Sequence, residues 1–140
     1  EEWFKPAAYA LILLRQDGLP CVFYGDYYGI SGQFAQQDFK EVLDRLLAIR
    51  KDRAYGEQTD YFDDANCIGW VRSGAEHQSP IAVLISNDQE NGKAMFVGQE
   101  WADQTFVDLL ENHPAQVTIN AEGYGEFPVA AGSVSVWAVK

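Results

Sequence analysis

Positive charge is scarce in this 140-residue sequence. Lysine and arginine together number 10 against 21 aspartates and glutamates, which gives a formal net charge of -11. Because nucleic-acid binding draws most of its affinity from basic side chains, this imbalance excludes a nucleic acid as an expected partner. The one basic cluster, Arg50, Lys51 and Arg53, follows an apolar helical stripe. We interpret it as charge that complements the end of a helix rather than as a docking patch.

Long apolar runs and cysteines are also scarce. The run Ala7–Leu14 is followed at once by Arg15 and is far shorter than the roughly 20 residues that a membrane-spanning helix needs, so no membrane partner is expected. The two cysteines, Cys21 and Cys67, lie far apart in the sequence. We predict that both are buried free thiols rather than a disulfide, which favours a cytoplasmic location, with secretion as the alternative.

The sequence lacks the usual catalytic motifs. It has no glycine-rich phosphate loop and no Gly-x-Ser-x-Gly elbow. His77 and His113 both fall in predicted turns, with no partner at metal-ligand spacing. We therefore expect both histidines to be solvent-exposed loop residues.

Apolar residues are abundant, and their spacing divides the first third of the chain into three elements. Apolar residues recur at helical spacing over Trp3–Arg15, and again over Phe39–Ile49. Between them, the continuous apolar run "LPCVFY" (Leu19–Tyr24) is typical of a parallel strand buried on both faces. Since a parallel strand needs neighbours, we expect the rest of this α/β fold to lie upstream of Glu1.

Beyond Tyr55 the pattern changes to short segments with period-2 alternation. These segments are separated by turns rich in Gly, Asn, Asp and Pro, as in an antiparallel sandwich or barrel. The predicted strands are "GEQTDYF", "CIGWVRS", "IAVLIS", "KAMFVG", "QTFVDLL", "QVTIN", "GEFPVA" and "SVSVWAV". We therefore predict an α+β chain in which residues 1–54 form a helix, strand and helix, and residues 55–140 form an antiparallel domain of about eight strands packed tightly on them.

Aromatic residues are the remaining candidates for a binding site. Tyr24, Asp26, Tyr27 and Tyr28 follow the predicted buried strand, and α/β folds place their sites at the carboxyl ends of such strands. We predict Asp26 and Tyr28 as substrate-binding residues. The alternative is that these side chains only fix the loop. Trp101, in a polar loop, is either a sugar platform or a packing residue.

Two long blocks of the sequence resemble one enzyme family. "WFKPAAYALILLRQDGLPCVFYGDYYG" resembles the last helix-strand unit of the catalytic barrel in bacterial liquefying-type alpha-amylases, a branch of glycoside hydrolase family 13. "YGEQTDYFDDANCIGWVRSG" and "AMFVGQEWADQTFVDLLENHPAQVTINAEGYGEFPVAAGSVSVWAV" resemble the C-terminal antiparallel domain of the same enzymes. The resemblance covers essentially the whole chain. It implies that residues 1–54 are a remnant of a (β/α)8 barrel and that residues 55–140 are a Greek-key β-sandwich.

The resemblance also implies an activity for a longer parent protein. Enzymes of this family hydrolyse the α-1,4-glucans of starch and glycogen with retention, using a carboxylate nucleophile, a carboxylic acid and a further aspartate. In the family these groups lie on earlier barrel strands, and no residue here matches any of them. We therefore expect this chain to carry no catalytic residue, to be inactive alone, and to pack against the upstream barrel.

Calcium is the cofactor that the resemblance implies for the parent. The family binds it where the barrel meets the C-terminal domain, and the matching positions here are Ala65, Asn66 and Asn87. Amide oxygens bind calcium, but the loss of two negative charges weakens a site. We therefore expect a weakened metal site at these residues, with Asp88, one residue beyond Asn87, as the alternative source of a carboxylate.

Three functions remain open at this stage. The first is the C-terminal part of an alpha-amylase-like hydrolase, which stabilises the barrel by covering it. The second is an independent module that binds starch-like glucans through exposed aromatics such as Trp101 or Tyr124. The third is a structural or assembly domain that binds no sugar, and in every case the truncated chain is expected to self-associate if its barrel-facing surface is bare.

Overall fold

The computed structural model describes all residues, 1–140, as three helices followed by eight strands. The helices are α1 (Lys5–Leu14), α2 (Tyr24–Tyr28) and α3 (Lys40–Asp52), and a turn of 3-10 helix, Glu2–Phe4, precedes α1. The strands are β1 (Gln58–Asp64), β2 (Cys67–Arg72), β3 (Ile81–Ser86), β4 (Asn91–Phe96), β5 (Thr105–Asp108), β6 (Gln116–Thr118), β7 (Tyr124–Val129) and β8 (Val134–Val139). No helix has the length and the apolar content that crossing a membrane requires.

The two longer helices are those that the apolar spacing predicts. Helix α1 begins at Lys5 and has Pro6 in its first turn, where the missing backbone N–H would have no partner within the helix. Helix α3 buries Leu43, Leu46 and Ile49 along one stripe and carries Arg50 and Lys51 in its last turn. Acidic Glu41 lies in the first turn of α3, so the charges at both ends complement the helix dipole.

The predicted buried strand Leu19–Tyr24 is not a strand in this chain. Residues 19–23 have no regular secondary structure, and α2 begins at Tyr24. Leu19 is fully exposed, Phe23 is 55% exposed, and Cys21, expected to be buried, is exposed as well. A parallel strand is held by hydrogen bonds to neighbouring strands, and these 140 residues supply none for this segment.

Residues 55–140 fold into antiparallel sheets, as the alternation predicts. Six strands form one sheet in the order β1-β2-β3-β8-β5-β6, and β4 pairs with β7 in a second, two-stranded sheet. All eight predicted strands are confirmed, with ends that shift by a few residues. In the small sheet, β4 pairs with β7 over the register Asn91↔Val129 to Phe96↔Tyr124.

The large sheet is covered on both faces. On strand β3, Ile81, Val83 and Ile85 join the apolar cluster that contains the helices, while Ala82 and Leu84 join the cluster beneath the small sheet. Because successive side chains of a strand point to opposite faces, β3 separates two cores. The molecule therefore has three layers: helices, the six-stranded sheet and the two-stranded sheet.

Trp70 on β2 and Trp137 on β8 are both fully buried core residues. One further prediction about packing is confirmed. The helical and β parts pack tightly on each other, because one cluster unites Leu13 and Leu14 of α1 with Leu46 of α3 and with the face of the sheet that carries Trp70.

Candidate functional site

Asp26, a predicted substrate-binding residue, lies on α2 and is only 9% exposed. Its Oδ1 accepts a hydrogen bond from Lys5 Nζ at 2.7 Å, and its Oδ2 accepts one from Tyr9 Oη at 2.5 Å. The side-chain amide of Gln36 donates to Oδ1 as well. The carboxylate thus joins α1, α2 and the segment before α3, which is the loop-fixing role that the sequence left open as the alternative.

The hydrogen bonds around Asp26 also set its ionisation. Burial by itself raises the pKa of this carboxyl, but the hydrogen bonds from Lys5, Tyr9 and Gln36 and the Lys5 charge outweigh it. The resulting pKa is lower than the ordinary aspartate value. Asp26 is therefore a carboxylate at neutral pH, with both oxygens already engaged inside the protein.

Tyr28, the other predicted substrate-binding residue, takes no part in these hydrogen bonds and is 60% exposed. Its ring lies 4.7 Å from the ring of Tyr24 and 4.7 Å from that of Tyr27. Tyr27 is fixed in turn by donating a hydrogen bond to Asp44 Oδ1 on α3. Of the two predicted substrate-binding residues on this short helix, Asp26 is therefore buried and Tyr28 is exposed.

The residues around α2 expose an unusual amount of apolar surface. We call residues 19–34 the apolar segment, and its large side chains are mostly uncovered. The exposed fractions are 100% for Leu19, 55% for Phe23, 72% for Tyr24, 60% for Tyr28 and 80% for Phe34. Such a concentration of exposed apolar side chains in one segment is uncommon on the surface of a soluble monomer.

The three predicted metal ligands lie at two neighbouring turns. Ala65 and Asn66 form the turn between β1 and β2, Asn87 follows β3, and the Asn87 N–H donates to the main-chain oxygen of Asn66 at 3.1 Å. The nearby carboxylate of Asp64 is engaged, since it accepts hydrogen bonds from Asn66 N at 2.8 Å and Asn91 Nδ2 at 3.4 Å. No group of three or more His, Cys, Asp or Glu side chains in the chain is arranged to hold a metal ion.

The chemistry of this donor set does not fit calcium. Calcium takes six to eight oxygen ligands and draws its affinity from carboxylates, whereas Asn66 and Asn87 offer neutral amides and Ala65 offers only a carbonyl. The two turns that carry Asn66 and Asn87 are adjacent, and one main-chain hydrogen bond joins these residues.

Sequence reasoning misses Asp108, a buried carboxylate on the last residue of β5. Asp108 is 5% exposed, and its oxygens accept hydrogen bonds from the backbone N–H groups of Leu110, Asn112, His113 and Val136. Burial raises the pKa of Asp108, and these four bonds oppose the rise. The residue ties a loop to β8, and the only sequence signal is an aspartate that opens the turn-rich stretch "DLLENHP".

His113 also differs from expectation. Its side chain is 16% exposed rather than solvated, and its ring lies 5.9 Å from that of Trp137. His77 is exposed, as predicted.

The indole of Trp101 is half-buried, and its ring makes a T-shaped contact with the ring of Phe106, with 6.5 Å between the centroids. This contact favours a packing role for Trp101 over a role as a sugar platform.

Comparison with known proteins gives consistent matches. Residues 81–138 match the family model described as alpha-amylase C-terminal. The chain is 50% identical over 139 residues to an alpha-amylase of Geobacillus stearothermophilus, covering 98% of this chain and 25% of that protein. It is 47% identical over 142 residues to a glucan 1,4-alpha-maltohexaosidase of Bacillus sp. strain 707, covering 100% of this chain and 27% of that protein. It is 40% identical over 149 residues to a cytoplasmic alpha-amylase of Escherichia coli strain K12, covering 100% of this chain and 30% of that protein.

Proposed function

We propose that this chain, whose residues 81–138 match the family model described as alpha-amylase C-terminal, is the C-terminal part of a retaining endo-hydrolase of α-1,4-glucans. The chain spans between 25% and 30% of the length of the relatives named above. The observation that carries the proposal is the extent of the match, which covers 98% or more of this chain. In this proposal the catalytic carboxylates belong to the upstream part of the longer protein.

The apolar segment supports the proposal that residues 1–54 complete an upstream barrel. Leu19–Tyr24 has the composition of a strand buried on both faces, yet it lacks strand partners and is largely exposed here. Strands of an upstream barrel would supply both the missing hydrogen bonds and the cover. In the longer protein this segment would then be the last barrel strand, with Tyr28 at its carboxyl end, near bound glucan.

The shared core supports a stabilising role for the β-domain. Helices α1 and α3 bury their apolar stripes directly against β3 and β8, in one cluster of 17 buried residues. The large sheet therefore covers the outer face of the last barrel helices. We keep residue 54 as the boundary between the barrel part and the β-domain, because α3 and its Arg53 cap end there and β1 begins at Gln58.

The proposal includes a cofactor and a location. Calcium in the longer protein would be held by residues other than Ala65, Asn66 and Asn87, since the donor set at these positions does not fit the ion. A cytoplasmic location is supported by the two free cysteines, Cys21 and Cys67, which form no disulfide. Glucan is the proposed substrate of the longer protein, and the net charge of -11 supports the absence of a nucleic-acid partner.

Reducing-sugar release from soluble starch tests the proposed function. The longer protein that contains this chain is assayed beside the 140-residue chain at equal molar concentration. We expect activity in the longer protein and none in the chain. An inactive but folded longer protein would overturn the hydrolase assignment, and activity in the chain would overturn the assignment of catalysis to the upstream part.

A glucan-binding module is the second candidate, and one observation favours it. Phe96 and Tyr124, neighbours in the register of the small sheet, are 43% and 42% exposed, with ring centroids 5.3 Å apart. Adjacent exposed aromatic faces suit the apolar faces of sugar rings. Retained affinity of the 140-residue chain for starch, lost in Tyr124→Ala, would establish this function. No affinity for starch would leave only the structural roles.

A further inference from the structure

Two members of the basic cluster at the end of α3, Arg50 and Lys51, line a pocket of about 450 Å³. Arg15, Arg50, Lys51 and Arg72 line this pocket, together with Gln16 and Tyr55. Four of the ten basic residues of the chain therefore converge on one cavity, in a molecule whose net charge is -11. We call this cavity the basic pocket.

Neutral carbonyl groups hold the two central guanidinium groups in place. Arg50 Nη1 donates to the Leu13 carbonyl at 2.6 Å. Arg72 donates to the Gly56 carbonyl from Nε at 3.1 Å and from Nη2 at 3.0 Å, and to the Leu14 carbonyl from Nη1 at 3.4 Å. These bonds orient both side chains without neutralising them. Arg50 lies in the last turn of α3, where its charge complements the helix dipole, and its side chain also reaches across to the end of α1.

The positive charges exceed the negative charges around them. Asp60 accepts from both terminal nitrogens of Arg15, at 3.1 and 3.2 Å, and so balances that residue. Asp17 attracts Arg72. Arg50, Arg72 and Lys51 form no ion pair with any carboxylate of the chain.

The surplus charge is costly at this location. Arg72 is 7% exposed, and burial lowers its pKa from the ordinary arginine value, as does the nearby charge of Arg50. A buried charge that forms no ion pair destabilises a fold, since nothing in direct contact offsets its desolvation. An anion in the basic pocket would relieve both the desolvation of Arg72 and its repulsion from Arg50.

We propose that the basic pocket binds a tetrahedral oxyanion, namely inorganic phosphate or the phosphate group of a sugar phosphate. The carbonyl groups use some of the N–H groups of Arg50 and Arg72, and the remaining N–H groups can donate to a phosphate. Lys51 adds an ammonium group on a flexible side chain. A long polyanion is disfavoured because the rest of the molecule is acidic. The site is independent of the proposed glucan hydrolysis and of the aromatic surfaces described above.

Calorimetric titration of sodium phosphate into the 140-residue chain, at constant ionic strength set with sodium chloride, tests the proposal. We expect saturable binding that Lys51→Gln weakens about tenfold, the effect of losing one charge-assisted contact. Lys40→Gln is the matched control, since it removes the same charge from the same helix outside the pocket, where Lys40 pairs with Asp44. Arg50→Gln is the second variant, and circular dichroism checks that each variant is folded.

Each outcome decides for or against the site. Binding that is kept in Lys40→Gln and weakened in Lys51→Gln supports it. Equal weakening in the two variants would show a net-charge effect only, and no saturable binding of phosphate up to millimolar concentration would also overturn the proposal. Parallel titrations with glucose 6-phosphate and glucose identify the source: tighter binding of the ester than of phosphate points to a sugar phosphate, and equal binding points to the free anion.

Discussion

At the scale of single residues, two buried carboxylates hold loops and helices in place through hydrogen bonds. Asp26 and Asp108 each accept several hydrogen bonds, and each joins segments that are distant in the sequence. The sequence alone identifies the aspartate in "YGDYY" as a candidate functional residue. Its partners are not, because Lys5 and Tyr9 lie 21 and 17 residues away and meet it only through the tertiary fold. A structural and a functional aspartate therefore have the same local signature.

Replacing Asp26 tests its structural role through pH. Its folded pKa is lower than the unfolded value of about 3.9, so the carboxylate stabilises the fold above that value. This stability is lost as the pH falls through the folded pKa. We expect Asp26→Asn to lower the free energy of unfolding at pH 7 by about 2 kcal/mol, because charged hydrogen bonds from Lys5 and Tyr9 are lost. Stability measured by urea unfolding should then fall less between pH 5 and pH 3 in the variant than in the original chain.

The matched control for Asp26→Asn is Asp38→Asn. Asp38 is an exposed aspartate in the segment before α3. Asp38 accepts one hydrogen bond, from Lys40 N at 3.3 Å, so its replacement should change stability little at either pH. Identical acid profiles for the original chain and Asp26→Asn would contradict the assigned role. They would return Asp26 to the list of candidate substrate ligands.

At the scale of elements, alternation and turn residues predicted the β-domain well. Strands such as β2 and β3 match their predicted segments almost residue for residue, because period-2 patterning and turn chemistry are local signals. The order of strands is not local, and nothing in the sequence pattern indicates that β8 lies between β3 and β5. The prediction of a strand at Leu19–Tyr24 was wrong for a related reason. Apolar composition indicates that a segment suits a buried strand, but a strand also needs neighbouring strands, which this chain does not provide.

The two turns that carry Asn66 and Asn87 make a prediction about calcium. The double variant Asn66→Asp, Asn87→Asp should gain stabilisation by calcium, because it places two carboxylates where the turns already meet. At a calcium concentration of about 100 times Kd the gain is about 2.7 kcal/mol. The measurement is thermal unfolding with calcium or with a chelator, in which the original chain should show no difference.

Asn120→Asp is the control for added charge. Asn120 Oδ1 accepts hydrogen bonds from the backbone N–H groups of Glu122 and Tyr124, and an aspartate can keep both. This variant should not respond to calcium. A calcium effect in the original chain would contradict the conclusion that the present donor set does not fit the ion, and no effect in the double variant would show that the two turns alone cannot form a site.

At the scale of the whole molecule, negative charge and the apolar segment act in opposite directions. A net charge of -11 keeps copies of the chain apart, but surface charges are screened beyond about 8 Å at physiological salt. Burial of one exposed Leu or Phe side chain is worth about 1.5 to 3 kcal/mol, and the apolar segment offers several. Association should therefore prevail once salt screens the charge.

Self-association of the 140-residue chain follows as the prediction at this scale. We expect sedimentation velocity to show dimers or larger species whose population rises with salt, and Leu19→Ser with Phe34→Ser to weaken the association about tenfold or more. Phe96→Ser is the control, because Phe96 is an exposed apolar residue on the small sheet, away from the apolar segment in the sequence. A chain that remains monomeric at high salt, or equal loss of association in both variants, would contradict the role of the apolar segment. If the upstream part of the longer protein covers residues 19–34, the longer protein should be monomeric under the same conditions. The same sedimentation experiment on the longer protein therefore tests whether its barrel covers the apolar segment.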